Sequence, residues 1–203
     1  MIIGLTGGIA SGKSTISLIL KELGAYIIDV DEVGRNVVQK GEKAYNEIVQ
    51  YFGDQIVMAN GEINRKILGR IVFSNEEELK MLNSITHPQI IAKVKEIIEQ
   101  HRSNGNEVIV VDAAILIEMG LNSICDSVWL VTVDKKTQLQ RLMERDRFSY
   151  DDAQNRINAQ FSDDKKSQYS DVIIDNTKSL EELKACLKQL WDNTVKRGEV
   201  VDQ

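Results

Sequence analysis

The feature that most constrains the fold is the segment at residues 7–14, which reads Gly-Gly-Ile-Ala-Ser-Gly-Lys-Ser and fits the pattern G-x-x-x-x-G-K-[ST] without a mismatch. An apolar run at residues 2–6 precedes it, and apolar residues recur with helical spacing after it, at Ile16, Ile19, Leu20 and Leu23. The sequence therefore predicts a strand, a glycine-rich loop and an amphipathic helix in succession. This is the structural context in which the pattern binds phosphate.

A loop of this kind, a P-loop, binds nucleotides mainly through its backbone, because successive N–H groups point inward at phosphate oxygens and the helix N-terminus adds a positive dipole end. The residues expected to supply this cradle are Gly8, Ile9, Ala10, Ser11 and Gly12. We expect Lys13 to reach the β- and γ-phosphates, Ser14 to ligate Mg²⁺ and Thr15 to hold the α-phosphate. The motif predicts binding of ATP or GTP with Mg²⁺. A glycine-rich turn that binds nothing is the alternative, which the flanking strand and helix disfavour.

Four further runs rich in valine and isoleucine are short and continuous, as in strands that are buried on both faces of a parallel sheet. They are residues 26–29, 107–112, 128–133 and 172–175. Helical patterns separate these runs. The chain is therefore expected to adopt an α/β fold of the P-loop NTPase type, a three-layer sandwich around a parallel sheet of about five strands.

Two intervals between the predicted strands are longer than one helical crossover requires, since a βα unit takes about 30 residues. We interpret residues 33–104 as a mostly helical insertion and residues 135–168 as a second helical excursion, both within a single domain at 1–203. The insertion is a candidate for binding the acceptor, and the excursion is a candidate lid.

Local signals predict where several helices begin and end. Pro88 suits the first turn of a helix through residues 88–102. Capping-box spacing recurs in two pairs, Ser74 with Glu77 and Ser179 with Glu182. The tail after Arg197 is expected to fray.

Composition bears on the class of protein and on its surroundings. The net charge of −6 disfavours a protein that coats nucleic acid, because such proteins usually carry a basic excess. No apolar run approaches the length of a membrane span, and the N-terminus lacks the pattern of a secretion signal. Cys125 and Cys186 are interpreted as reduced thiols, which predicts a cytoplasmic location. Charge and the lengths of the apolar runs predict a protein without nucleic-acid or membrane partners.

Acidic residues follow two of the predicted strands, where ligands of parallel sheets bind. Asp31 follows residues 26–29 and is positioned to accept a proton from an attacking hydroxyl, although an aspartate there is equally suited to cap the next helix. Asp112 ends the next strand and is the expected metal-organising carboxylate, with Glu118 six residues further along. A turn aspartate is the alternative for Asp112.

Arginines are concentrated in the second excursion. Arg141 and Arg145 share one helix face, and Arg147 and Arg156 follow. A mobile lid with arginines over the nucleotide would neutralise charge on the phosphoryl group and exclude water. Neighbouring carboxylates also allow a solvated charged face, but the P-loop favours the lid.

The insertion carries its own positive groups, which are candidates for holding an anionic acceptor. They are Arg35, Arg65, Lys66, Arg70 and Lys93. His87 is compatible with a helix cap and with a ligand-binding group, and the sequence leaves both open.

Taken together, these motifs resemble the dephospho-CoA kinase family over residues 2–190. The residues that carry the resemblance are 4–15, Asp29 and Asp31 with Arg35, 63–65 with 68–69 and 72–73, His87 with Pro88, Arg141, Arg145, Asp146, Ala153, Arg156, Gln160 and 171–176. The sequence departs from the family pattern at Ala10, where glycine is usual, and at Ala114 and Ile117, where proline and phenylalanine are usual.

The resemblance implies transfer of the ATP γ-phosphate to the ribose 3′-hydroxyl of dephospho-CoA, the last step of coenzyme A synthesis. It implies a nucleotide core, an acceptor-binding helical subdomain and a lid. Asp31 matches the family's proposed base, Lys13 and Arg145 match phosphate-holding groups, and Asn176 lies in the matched last-strand motif. The expected acceptor-binding set is Asp31, Arg35, Arg65, His87, Asp112 and Glu118.

Two other functions compete with this interpretation. Another small-molecule P-loop kinase, of the nucleoside monophosphate or shikimate type, is the nearest, but shikimate kinases are shorter and the long insertion argues against them. A nucleotide-gated switch is a different class; it needs an N-K-x-D guanine reader, which the sequence lacks, so the D-x-x-G match at residues 31–34 is attributed to chance. The oligomeric state is not predicted.

Overall fold

The computed structural model describes residues 1–198, with side chains through residue 194. The chain forms two compact units, Met1–Ile28 with the chain from Ile98 onward, and Asp29–Ile97. Residues 199–203, which include most of the tail expected to fray, lie outside the described residues.

A five-stranded sheet organises the larger unit. Its strands are β1 (Ile2–Gly7), β2 (Tyr26–Asp29), β3 (Ile109–Asp112), β4 (Ser127–Thr132) and β5 (Val172–Asp175). Their spatial order is β2-β3-β1-β4-β5, and the β1–β3, β1–β4 and β4–β5 pairs are parallel. The predicted α/β fold with a parallel sheet of about five strands is confirmed.

Helices connect the strands and also form the smaller unit. In chain order they are α1 (Lys13–Glu22), α2 (Val30–Val37), α3 (Lys43–Phe52), α4 (Arg65–Ser74), α5 (Glu76–Ser103), α6 (Lys135–Asp146), α7 (Tyr150–Asn158), α8 (Asp163–Ser167) and α9 (Leu180–Gly198). Short 3₁₀ turns lie at Asp54–Ile56 and Leu121–Ile124. Among these described elements, we find no helix that is both long enough and apolar enough to cross a bilayer.

The core of the larger unit lies around the central strands. Apolar residues of β1 and β4 pack with the buried face of α1, formed by Ile16, Ile19 and Leu20, and with Leu183 and Leu187 of α9. The central strands β1, β3 and β4 read as continuous apolar runs because both of their faces are covered. This packing holds the start of α1 directly behind the P-loop. The predicted burial on both faces is wrong for the edge strands β2 and β5, which are only partly buried.

The smaller unit has a separate core. Residues of α3 and α4 pack with the turn at Asp54–Ile56, and the buried members are Ala44, Ile48, Phe52, Ile56, Ile63, Leu68 and Val72. An independent core lets this unit act as a rigid platform for its exposed polar residues.

The predicted helix start at Pro88 is wrong, because Pro88 lies inside α5, which begins at Glu76. An interior proline costs about 3 kcal/mol through its missing N–H and its clash with the preceding turn. Burial of Ile90, Val94 and Ile98, further along α5, offsets that cost. Packing has overridden the local signal.

One of the two predicted capping boxes is present. Ser179 accepts from the Glu182 N–H at 3.3 Å, and Glu182 accepts from the Ser179 N–H at 3.0 Å. The other is wrong, since Ser74 ends α4 and its hydroxyl donates to the Arg70 carbonyl instead. Asn75 accepts from the Glu77 N–H in its place, at 3.0 Å.

The two thiols are expected to differ in reactivity. Cys125 donates to the Leu121 carbonyl at 3.3 Å, and burial raises the pKa of its thiol to about 12, whereas Cys186 is exposed on α9. Because the thiolate is the reactive species, Cys186 should react quickly with a disulfide reagent at pH 8. Cys125 should react only after denaturation. The Cys186→Ser variant should lose the fast phase. Rapid reaction of both thiols in the folded protein would contradict this packing.

Candidate functional site

The P-loop connects β1 to α1, and its geometry leaves the helix N-terminus open. Gly12 precedes α1 with φ of 89°, in the left-handed region, and no side chain caps the helix. The first-turn N–H groups therefore lack the side-chain partner that most helices supply. Ser14 and Thr15, in that turn, are exposed. Such a terminus is suited to bind an anion.

Two predicted nucleotide-binding residues lie against Gly12. Asn176, just after β5, donates from Nδ2 to the Ser11 carbonyl at 2.8 Å. A Cβ on Gly12 would collide with that amide, and Arg141 Nη1 lies 3.5 Å from the position such a Cβ would take. Glycine is required here both for its positive φ and for this close approach.

Lys13 and Asp112 are brought together on the sheet side of the loop. The Lys13 ammonium forms an ion pair with Oδ1 of Asp112, and the buried Ser17 hydroxyl donates to Oδ2. The side chains of Lys13 and Asp112 are only 15% and 11% exposed, so water solvates them poorly. Each charge is therefore stabilised mainly by the opposite charge of the other. The sequence identified Lys13 and Asp112 separately, and the structure joins them.

Glu118 lies in a second buried ion pair, with a residue that the sequence analysis missed. Lys166 of α8 is fully buried; its Nζ lies 3.2 Å from Oε1 of Glu118 and also donates to the Ala114 carbonyl. The Phe161 N–H donates to the same Glu118 oxygen at 2.8 Å. Burial lowers the pKa of Lys166, and Glu118 opposes that shift. Nothing in the charged run at residues 163–166 distinguishes this lysine from a surface one.

The lid arginines have different surroundings. Arg141 lies beside the loop, as described above. Arg145 makes two hydrogen bonds to Asp146, at 2.9 and 2.8 Å, and these lower the pKa of that carboxyl. Arg156 lies over the Phe148 ring, 4.3 Å from its centroid. The structure thus brings one of these guanidinium groups to the loop and holds the other two against residues of their own segment.

In the smaller unit, the cap of α2 is Asp29, whose carboxylate accepts from the Glu32 N–H at 3.0 Å. The capping alternative for Asp31 is therefore wrong. Asp31 is an exposed residue in the first turn of α2, four residues before Arg35 and on the same helix face.

Three predicted acceptor residues have defined surroundings in this unit. Arg35 Nη2 lies 3.6 Å from Oδ2 of Asp29, and Arg65 Nη2 donates to the Arg35 carbonyl at 3.3 Å. His87 lies half-buried in the middle of α5, so its interpretation as a helix cap is wrong. The nucleotide-binding candidates all lie in the larger unit, whereas the acceptor-binding candidates are divided. Asp31, Arg35, Arg65 and His87 lie in the smaller unit, and Asp112 and Glu118 lie in the larger one.

Ala10, at a position where the family usually has glycine, adopts φ of 61°. The left-handed region costs a residue with a Cβ about 1–2 kcal/mol. We expect Ala10→Gly to raise the free energy of unfolding by about 0.5–1 kcal/mol, the remainder after glycine's larger entropy loss. Urea unfolding checks this. Ala159→Gly is the matched control, because Ala159 has φ of −72° and should be destabilised by glycine. Equal losses in both variants would contradict the strain argument.

The larger unit combines a five-stranded sheet, an intact P-loop, a paired lysine and aspartate, and an arginine-bearing excursion. This combination defines a P-loop kinase of small molecules. The family model described as dephospho-CoA kinase matches residues 1–182. The chain belongs to the dephospho-CoA kinase family, whose members are ATP-dependent kinases of coenzyme A biosynthesis. The family resemblance seen in the sequence is confirmed.

Individual relatives agree with this membership. The chain is 48% identical over 196 residues to the dephospho-CoA kinase of Geobacillus kaustophilus, covering 95% of this chain and 97% of that protein. It is 47% identical over 180 residues to that of Carboxydothermus hydrogenoformans, covering 89% and 87%. The dephospho-CoA kinase structure from Campylobacter jejuni superposes with a TM-score of 0.71 at 28% identity, covering 96% of this chain and 97% of that one.

Proposed function

We propose that this chain transfers the γ-phosphate of ATP to the ribose 3′-hydroxyl of dephospho-CoA, releasing coenzyme A and ADP, with the residue roles given below. The observation that carries the proposal is the family match along residues 1–182, which includes the intact P-loop. Phosphoryl transfer needs little covalent help from a protein, because positioning and charge stabilisation supply most of the catalysis.

The triphosphate is assigned to the P-loop. Loop N–H groups and the open end of α1 bind the phosphates, and Lys13 exchanges part of its contact with Asp112 for the γ-phosphate. Asn176 and Arg141, which border Gly12, hold the nucleotide at the far side of the loop. This arrangement gathers positive charge at one place in an acidic chain.

The residues present fit a magnesium ion that binds together with the nucleotide. Mg²⁺ takes oxygen ligands, usually one or two from protein and the rest from phosphates and water. Ser14 offers an exposed hydroxyl and Asp112 a carboxylate, so these two residues would hold it. When bound, the ion neutralises negative charge on the β- and γ-phosphates.

Asp31 is assigned as the group that accepts the proton of the 3′-hydroxyl. Two observations support the assignment: it follows β2 by two residues, and Asp29 already serves as the cap of α2. An exposed carboxylate without a capping duty is suited to that role. Arg35, Arg65 and His87 are assigned to the anionic acceptor, because a diphosphate is bound well by arginine's fork of donors.

Glu118 contributes to the acceptor site indirectly in this assignment. Its ion pair with Lys166 and its bond from the Phe161 N–H hold the segment after β3 in place. That segment contains Ala114 and Ile117, the departures from the family pattern. The Lys166 ammonium donates to the Ala114 carbonyl, and this contact fixes the backbone at the position where the family usually has proline.

Arg145 is assigned as the main lid contact to the transferred phosphoryl group, with Arg141 and Arg156 as weaker contacts. In this structure it binds Asp146, so closure has to exchange that partner for phosphate. We expect Arg145→Lys to lower kcat about tenfold, because charge is kept while the planar fork is lost. Steady-state kinetics checks this against Lys136→Arg on the same helix. Unchanged kcat in Arg145→Lys would remove this arginine from the chemistry.

The proposal includes a cytoplasmic location, which the two free thiols support. A coupled ADP-release assay tests the proposed reaction with three acceptor conditions: dephospho-CoA, shikimate and none. ADP that appears only with dephospho-CoA and Mg²⁺ supports the proposal. Release with shikimate indicates the related kinase activity, and release without any acceptor indicates a nucleotide-hydrolysing switch.

A further inference from the structure

One residue of the P-loop is held from both sides by the excursion. The Ile9 N–H donates to Oε1 of Gln160 at 2.8 Å, and the Ile9 carbonyl accepts from Nε2 of Gln138 at 2.9 Å. Both bonds join residues more than a hundred positions apart in the chain and are partly buried. Backbone groups in such a place gain from having fixed partners.

The two glutamines lie toward opposite ends of the arginine-bearing segment. Gln138 is a buried residue in the first turn of α6, and Gln160 lies between α7 and α8. Arg141, Arg145 and Arg156 all fall between them in the chain. Both ends of the segment therefore converge on Ile9.

Gly8 provides independent support for this arrangement. A Cβ at Gly8 would collide with Nε2 of Gln138, so a side chain there would push the glutamine off the Ile9 carbonyl. The adjacent cavity, about 430 Å³, is lined by Gly8, both glutamines and apolar residues of the excursion such as Leu139 and Ile157. The glutamines are thus fixed at the loop, while the helices beyond them border open space.

We propose that Gln138 and Gln160 are positioning residues that couple the P-loop to the lid through Ile9. A change in the loop on nucleotide binding then moves both ends of the lid together. The inference deepens the proposed function and rests on it for the identity of the lid, but the two bonds to Ile9 are independent of any acceptor.

Gln160→Met and Gln138→Met remove one bond each with nearly the same side-chain volume. We expect the Ile9 amide to exchange about three- to tenfold faster in Gln160→Met, the ratio expected for the loss of one ordinary hydrogen bond. Gln160→Glu keeps an acceptor and should restore slow exchange. Matched controls are Gln140→Met and Gln154→Met, because these glutamines bond to Glu144 and Asn158 instead. NMR of the unliganded protein measures the exchange.

The coupling itself is measured by hydrogen exchange on residues 138–166 with a non-hydrolysable ATP analogue. The protection that the analogue induces should fall severalfold in the Gln138→Met/Gln160→Met double variant and persist in the double control. Kinetics should show a lower kcat with a smaller change in KM for ATP. Protection and kcat equal to those of the unmodified protein would overturn the inference while leaving the proposed function intact. Absence of activity on dephospho-CoA in the unmodified protein would instead refute the proposed function, and the Ile9 exchange ratio in Gln160→Met would still decide whether the bond from the Ile9 N–H to Gln160 exists.

Discussion

The Asp31→Asn variant should lose about 10²–10⁴-fold in kcat while its KM for ATP stays close to that of the unmodified enzyme. Asparagine has nearly the same shape as aspartate but cannot take up the hydroxyl proton. Because the cap of α2 is Asp29, the stability of the smaller unit should be unchanged within about 0.5 kcal/mol. Steady-state kinetics with dephospho-CoA, together with urea unfolding, measures both quantities.

Glu32→Gln is the matched control for Asp31→Asn, since Glu32 is the next residue in the same exposed turn. It should retain activity, so a general effect of removing negative charge from α2 would be detected. Near-normal kcat in Asp31→Asn would exclude Asp31 as the base. An equal loss of kcat in Glu32→Gln would mean that the negative charge of the first turn of α2, and not Asp31 itself, is responsible for the effect.

The Lys13→Ala variant should lose about 10²-fold or more in kcat, because a preorganised charge at the transferring phosphoryl group is removed. Lys21→Ala, at the exposed far end of α1, is the control and should be nearly fully active. Lys13 also compensates Asp112, so some loss of stability is expected as well. Kinetics at a temperature well below unfolding separates the two effects.

The contribution of Lys13 to stability is separated by a second variant. Asp112→Asn removes the charge that Lys13 compensates, and the Lys13→Ala/Asp112→Asn double variant leaves no buried charge unpaired. We expect the double variant to regain stability relative to Lys13→Ala but not activity. Recovery of activity in the double variant would contradict a direct role for the lysine at the phosphate.

The sequence predicts best those features that local chemistry decides. The P-loop pattern and the five apolar runs locate β1 to β5 within about two residues. Continuous burial explains the apolar signal of β1, β3 and β4, whereas β2 and β5 have short apolar runs although they are only partly buried. The capping box at Ser179 is also found, since a helix start is a local event. Pro88 is misread because the packing of α5 is a long-range property that its neighbours in sequence do not reveal.

The sequence predicts those residues of the site that belong to recognisable motifs, but not the contacts between them. Lys13 and Asp112 are recognisable from what precedes them in the chain, but their ion pair depends on the pairing of β1 with β3. Burial of Lys166 and the bonds of the two glutamines to Ile9 arise when distant segments meet. Lys166 lies in a charged run that resembles an ordinary surface, and the sequence around the two glutamines does not show which backbone group each side chain binds. Topology, and not composition, turns these side chains inward.

The most direct test of the account is to identify the product formed from ATP and dephospho-CoA by mass spectrometry and phosphorus NMR. The account predicts one added phosphoryl group, attached to the ribose 3′-oxygen, in an amount equal to the ADP released. Addition at another hydroxyl, or ADP accompanied by inorganic phosphate with the acceptor unchanged, would contradict it.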